Sequence, residues 1–253
     1  MNISGVPGGA NPSRHSTKDS QAFKLLESAF EDSSLRLLDK LEAFPRFVTK
    51  RSLARLFCKY EIYKQIIRAN GIIVECGVYN GGGLFTWSQL ANIFEPTNYN
   101  RRIVGFDTFE GFPSIANTDS NKKLTPVIGD LRGSTLESFS MSLEKQNAER
   151  YLSHIPNTEL VKGDFMKTGS AYLLNNPHTI ISLLYLDFDL YEPTAKALEI
   201  FLPRMPKGSI VCFDELNCQT FPGETVAAFE QLDIPNRELK RFPEDPWISY
   251  IIL

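Results

Sequence analysis

The sequence predicts an α/β fold: a mostly parallel sheet of seven strands, doubly wound, with an antiparallel hairpin at its C-terminal edge and a helical region at its N-terminus. Three observations carry this. Beyond Gly71, short β-rich apolar runs alternate with helix-like stretches. The last two runs are separated only by PEDPW, which suits an antiparallel pair. Before Gly71 the apolar residues recur at helical rather than strand spacing.

Residues 1–20 are rich in Gly, Pro, Ser and Asn and have little to bury, so they read as a mobile tail, with order beginning near Gln21. Residues 21–70 read as a helical region, through FKLLESAF, LRLLDKLEAF and SLARLFCKYEIYKQII, broken at Pro45. Its basic residues Arg46, Lys50, Arg51 and Arg55 fit two readings: the charged face of an amphipathic helix, or a partner for a substrate diphosphate. Residues 71–253 form the sheet domain, with strands expected at IIVECG, RIVGFD, TELVKGD, ISLLYLD, SIVCFD, RELKRF and ISYIIL.

Composition narrows the function. At 42% hydrophobic residues the 253-residue chain has enough apolar material for one large core. A net charge of -3 gives no electrostatic reason for nucleic acid or an anionic membrane as partner. No apolar run approaches the roughly 18 residues that span a bilayer, and the first residues lack the apolar segment of a signal peptide, so a cytoplasmic protein is expected. Cys58, Cys76, Cys212 and Cys218 show no CxxC pair and read as buried thiols. His154 and His178 lack a Ser or Cys partner at recognisable spacing.

In such a sheet ligands bind beyond the carboxyl ends of the strands, so those residues are read for function. The first strand ends in VECGVYNGGG, where Gly77, Gly81, Gly82 and Gly83 permit a sharp turn and close backbone approach to a nucleotide-like cofactor. A plain glycine-rich turn is the competing reading, and Tyr79 stands where a dinucleotide fingerprint has its second glycine. Asp107 ends the second strand, placed to take both hydroxyls of a ribose or to cap a helix. In VKGDF, Asp164 suits an adenine amino group and Phe165 the adenine ring, although Gly-Asp is also turn chemistry.

The blocks ECGVYNGGG, GFDTFEGFP, DFDLYEPT and FLPRMPKGSIVCFDELN, in this order and spacing, resemble the macrocin O-methyltransferase (TylF-like) family of S-adenosylmethionine-dependent enzymes, from about Phe44 to the C-terminus. The resemblance is greatest to members that methylate hydroxyls of deoxysugars, often nucleotide-linked, in antibiotic or surface-glycan pathways. It implies a Rossmann-like class I methyltransferase sheet. It also implies that Glu75 and Gly77 hold the methionine end of the cofactor, that Tyr79 and Gly81 line it, that Asp107 binds the ribose, and that Phe109, Asp164 and Phe165 meet the adenine. A bulky residue at Tyr79 is usual in this family, so the departure from the general methyltransferase pattern narrows the resemblance.

The same resemblance places a divalent cation on Asp187, Asp214 and Glu215. Carboxylates at adjacent strand ends repel unless a cation or proton lies between them, and oxygen ligands suit magnesium, calcium or manganese. The alternative is that Asp214 and Glu215 only cap the following turn. Asp187 is assigned as general base as well as ligand, while Asp189 supports the loop or touches substrate. Phe109, Phe112 and Pro113 form a wall beside the adenine or pack the loop, and Phe221–Gly223 and Phe242–Trp247 are placed at the border of the acceptor pocket.

The expected function is metal-assisted O-methylation of a sugar hydroxyl. The alternatives are a phenolic, catechol-type acceptor and a non-catalytic module that binds S-adenosylmethionine; a nicotinamide oxidoreductase is disfavoured by the missing G-x-G turn. A homo-oligomer is expected, with the N-terminal helical region as the subunit contact.

Overall fold

The computed structural model describes residues 17–120 and 125–253. Most of the tail expected over residues 1–20 lies outside the described residues, and from Thr17 the chain is helical. The chain divides after Phe57 into two compact units. The first contains α1 (Thr17–Glu31), the single-turn-and-a-half α2 (Leu37–Glu42) and a 3-10 turn at Phe44–Arg46, where Pro45 ends the helical run. Within it the rings of Phe30 and Phe47 meet edge to face at 5.3 Å, and α2 buries none of its residues. Helix α3 (Lys50–Ile66) begins in this unit and ends in the second.

In the second unit the end of α3 buries Cys58, Ile62, Tyr63 and Ile66, a row at helical spacing. The sheet follows as β1 (Ile72–Cys76), β2 (Ile103–Asp107), β3 (Thr158–Lys162), β4 (Ile181–Leu186), β5 (Ile210–Phe213), β6 (Lys240–Arg241) and β7 (Ser249–Ile252). Their order is β3-β2-β1-β4-β5-β7-β6, with β1 to β5 parallel and β7 antiparallel to both neighbours. The helices between strands are α4 (Gly82–Phe94), α5 (Leu136–Ala148), α6 (Phe165–Asn175), α7 (Tyr191–Phe201) and α8 (Gly223–Gln231). All seven expected strands and the edge hairpin are present.

Strand alternation splits the core between two faces. Ile73, Ile103, Leu183, Tyr185, Ile210 and Cys212 pack with α3, α4 and α5. Val74, Val104, Phe106, Leu184, Leu186, Val211 and Phe213 point the other way, against α6, α7 and α8. At the amino end of the strands the buried Arg101 reaches Glu95 at 2.8 Å, Ser182 Oγ at 2.6 Å and the Gly71 carbonyl at 2.6 Å. Burial alone would raise the Glu95 carboxyl, but Arg101, Tyr63 and Asn98 together hold it below the usual value.

The register brings the functional ends into line. Cys76 pairs with Phe106 on one side and Leu186 on the other, and Leu186 pairs with Phe213. The next residue of each strand end, Gly77, Asp107, Asp187 and Asp214, therefore lies along one edge. Strand order reverses between β1 and β4, so this edge holds the crevice of the topological switch point.

Candidate active site

Backbone strain marks the same edge. Tyr79, Phe109, Asp189 and Asn217, with φ of 52°, 58°, 61° and 63°, follow the ends of β1, β2, β4 and β5 in turn. Non-glycine residues in the left-handed region cost free energy, and they persist where surrounding contacts over-determine them. Four such residues beside four adjacent strand ends outline a site rather than scattered turns.

On one side lies the glycine loop. Asp107 Oδ2 accepts the backbone N–H groups of Val78 at 2.8 Å and Tyr79 at 2.9 Å, and Oδ1 accepts that of Phe109 at 2.6 Å. The carboxylate thus braces the loop from below, and Oδ1 keeps capacity for a further donor. Tyr79 is 38% exposed at the loop's crest, and Gly81 forms the N-cap of α4. Gly77 has φ 94°, and a Cβ there would lie 2.0 Å from the Asp187 carbonyl oxygen. Only glycine allows the ends of β1 and β4 to come so close.

Glu75 lies inside the core beside the glycine loop. It is 2% exposed, and its carboxylate faces the first turn of α4 so tightly that a Cβ at Gly83 would meet Oε1 at 2.3 Å. Burial pushes Glu75 up to about 8, against the pull of the Lys59 charge and of the Trp87 indole and Leu84 backbone N–H groups. Among the described residues Glu75 Oε2 and Trp87 Nε1 complete no hydrogen bond, so the indole acts as a nearby dipole rather than as a bonded partner. Glu75 shapes the cofactor loop from within the core.

Both aromatic residues expected at the adenine are buried in the structure. The Phe165 ring is buried among Phe106, Phe188 and Phe201, with centroids at 5.2, 4.9 and 5.7 Å, so its faces are taken up by the core beneath α6. Phe109 is also buried, edge-on to Phe139 at 5.7 Å. Asp164 is the N-cap of α6 and accepts from Met166 N at 3.0 Å. Aromatic residues after a strand read alike whether they stack on a base or fill a core, and both of these rings pack on other rings.

On the other side of Gly77, β4 and β5 deliver acids. The backbone N–H of Asp187 donates to the Cys76 carbonyl at 2.8 Å and that of Asp214 to the Leu186 carbonyl at 2.9 Å, which extends the ladder past the strand ends. Asp214 is 2% exposed and accepts a hydrogen bond from the Tyr185 hydroxyl. Glu224, at the start of α8, is fully buried; its Oε1 accepts the Glu215 N–H at 3.1 Å, and its Oε2 has no hydrogen-bond partner among the described residues. Asp189 is buried as well. Burial first, and then Glu215, Asp187, Glu224 and Asp214, pushes its carboxyl well above the usual range. Five acids therefore act on one another here, although among the described residues no three side chains converge into a finished metal cage.

Around these acids the loops build an apolar wall. Phe112, Leu190, Cys218 and Phe221 cluster there with Ile115, Leu131 and Trp247. Phe242 stands apart from it, stacked on Tyr250 at 5.2 Å within the sheet core. Asp119, from the loop after β2, accepts the N–H of Tyr191 at 2.7 Å and of Ala116 at 2.8 Å, and so pins that loop to the start of α7.

A family profile described as Macrocin-O-methyltransferase (TylF) matches residues 47–241, most of the chain and all of the strand ends just described. The chain belongs to this O-methyltransferase family. Among solved structures, the calicheamicin methyltransferase CalS11 is 31% identical with a TM-score of 0.89, covering 98% of this chain and 99% of that one. An apo form of CalS11, described as a TDP-rhamnose 3'-O-methyltransferase, gives 31% identity and a TM-score of 0.82 over 94% of this chain and 96% of that one. A curated relative from Streptomyces olivaceus, the 8-demethyl-8-(2,3-dimethoxy-alpha-L-rhamnosyl)-tetracenomycin-C 4'-O-methyltransferase, is 29% identical over 149 residues, 57% of this chain. That match spans about half of the relative's length, 52%.

For a TylF-family chain, four residues of the site escape a reading by motif. Lys59, Asp119, Tyr185 and Glu224 reach it from α3, a loop, mid-strand and α8. The one available signal is a polar residue set in an apolar run, as Tyr185 is in ISLLYL.

Proposed function

We propose that the chain is an S-adenosylmethionine-dependent O-methyltransferase acting on a hydroxyl of a deoxysugar, nucleotide-linked, in natural-product biosynthesis. The observation that carries the reading is the meeting of the two halves at Gly77: a glycine loop braced by Asp107 on one side, and an acidic cluster opening from Asp187 on the other. The sugar acceptor is supported by the CalS11 and tetracenomycin relatives, which are described as acting on rhamnose or rhamnosyl groups.

S-adenosylmethionine supplies a sulfonium methyl that needs only an oxygen nucleophile in line with the carbon–sulfur bond. The loop 77–83 would hold its methionine part and Asp107 its ribose, through the capacity left on Oδ1. As the oxygen–methyl bond formed and the carbon–sulfur bond broke, with the sulfur leaving as a thioether, the hydroxyl proton would pass to Asp187, which is less buried than its neighbour Asp189. Mutual repulsion within the carboxylate cluster raises its affinity for a proton.

The donors are of the chemical kind that a hard divalent cation takes, although among the described residues no three of these side chains converge. All are carboxylate oxygens, they repel one another, and Glu224 Oε2 is buried without a bond among the described residues. Asp187, Asp214 and Glu215 would hold magnesium, and its charge would favour loss of the acceptor proton. We extend the reading to a homo-oligomer, supported by the exposed Leu37, Leu38 and Leu41 of α2. A cytoplasmic setting is supported by four cysteines, all of them buried. No described helix is long and apolar enough to cross a membrane.

The test is incubation with S-adenosylmethionine, magnesium and a panel of nucleotide-linked deoxysugars and phenols, followed by mass. Methylated sugar supports the reading, and methylated phenol alone moves the acceptor class. Cofactor binding with no product from any acceptor would favour a binding module. Product that survives chelation, with Asp214→Ala still active, removes the cation from the account.

A further inference from the structure

We propose that Lys59 is a positioning residue for methyl transfer: its buried ammonium, lying over the rings of Tyr185 and Trp87 and facing Glu75, ties the cofactor turn of α4 to the acids beyond β5. The inference rests on the methyltransferase reading above and deepens it.

Lys59 is 5% exposed, in the row of α3 that also buries Cys58, Ile62 and Tyr63. Lysine in an inward row is costly, since a buried charge needs compensation. Here the compensation is aromatic, and the Glu75 carboxyl lies on the same sheet face, in register with Tyr185. The ammonium lies 3.8 Å from the Tyr185 ring centroid and 5.4 Å from that of Trp87, both within cation–π range. Its charge also acts on Glu75 across the same face of the sheet.

Each partner leads to one half of the site. Glu75 sits against Gly83 and the N–H of Leu84, where the cofactor loop becomes α4. Tyr185 stands on Trp87 at 5.5 Å and passes its hydroxyl hydrogen to Asp214. Lys59 thus acts through these partners. It fixes the groups from which both halves rise.

The test compares wild-type, Lys59→Met, Lys59→Arg, Tyr185→Phe and the double Lys59→Met, Glu75→Gln variant. S-adenosylmethionine binding is measured by calorimetry, turnover by product mass and folding by thermal melt. Lys59→Met is expected to weaken cofactor binding at least about ten-fold, the scale of a desolvated cation–π contact, and to lower kcat. Lys59→Arg, which keeps charge and stacking, restores binding to within about three-fold of wild-type. Tyr185→Phe lowers kcat about ten-fold and leaves cofactor binding unchanged, because it cuts only the arm to Asp214. The double variant binds no more weakly than Lys59→Met, since both changes remove one interaction.

Wild-type binding and turnover in Lys59→Met would overturn the proposal, as would losses that add in the double variant. Tyr185→Phe that loses cofactor affinity as Lys59→Met does would overturn the division into two arms. Were Lys59→Met to fail to fold, Lys59→Arg and Tyr185→Phe carry the same comparison. Absence of S-adenosylmethionine binding by the wild-type chain would take the cofactor reading down, and this proposal with it; intact wild-type binding with an indifferent Lys59 takes down the proposal alone.

Discussion

The carboxylate of Asp107 holds the backbone of Tyr79, accepting its N–H at 2.9 Å while the same oxygen takes that of Val78 at 2.8 Å. The residue expected to bind a ribose thus also keeps the glycine loop in its left-handed turn. Asp107→Asn would set an amide N–H against a backbone N–H. A hydrogen bond to a charged group contributes about 1.5–3 kcal/mol, so the cofactor KM should rise about ten- to a hundred-fold in a chain that still folds. Steady-state kinetics in S-adenosylmethionine beside a thermal melt checks both halves.

Gly77→Ala should fail at the level of the fold. Positive φ costs a residue with a Cβ about 1–2 kcal/mol, and here that Cβ would also lie 2.0 Å from the Asp187 carbonyl oxygen. Loss of more than about 2 kcal/mol in denaturant unfolding is expected. A stability near wild-type would show that β1 and β4 separate easily.

Glu75 makes stability depend on pH. Burial keeps its carboxyl protonated in the folded chain up to about 8, whereas the unfolded chain releases that proton near 4.5. The unfolded state therefore binds fewer protons across this window, and stability falls as pH rises from about 4.5 to about 8, then levels off. Glu75→Gln stays neutral throughout. Thermal unfolding at stepped pH should show wild-type losing ground to the variant across that window and running parallel to it on either side.

Arg101 and Glu95 form a buried pair, 2% and 10% exposed at their side chains. Arg101→Met would remove the charge facing Glu95 and the guanidinium donor from the backbone carbonyls of Gly71, Ile66, Ile67 and Ala69. Breaking such a pair costs about 3–5 kcal/mol. The loss should appear in denaturant unfolding with cofactor affinity nearly unchanged, because the pair lies at the amino end of the strands.

The strands were legible because each carries an apolar run ending at a glycine or an acid, and a buried parallel strand has little freedom to look otherwise. Gly77, Asp107, Asp187 and Asp214 were legible for the same reason, since strand ends are fixed by the runs that precede them. What resisted reading depends on direction in space. Phe165 follows a strand end yet turns into the core, where three rings await it. Lys59 lies in an amphipathic helix, where a cation ordinarily marks the outer face, and only the position of Tyr185 shows that it points inward. Glu224, nine residues after Glu215, joins the acids from the first turn of α8, through a fold-back that no periodicity records.

The close approach of Gly77 to the Asp187 carbonyl bears on attempts to alter the enzyme's selectivity. Evolution of a new acceptor preference through the loop after β4 would move the very peptide against which the cofactor turn rests. Libraries confined to the apolar wall of Phe112, Leu190 and Phe221 leave that seam untouched. The wall, rather than the acids, is where side chains can be changed without shifting the peptide on which the glycine turn rests.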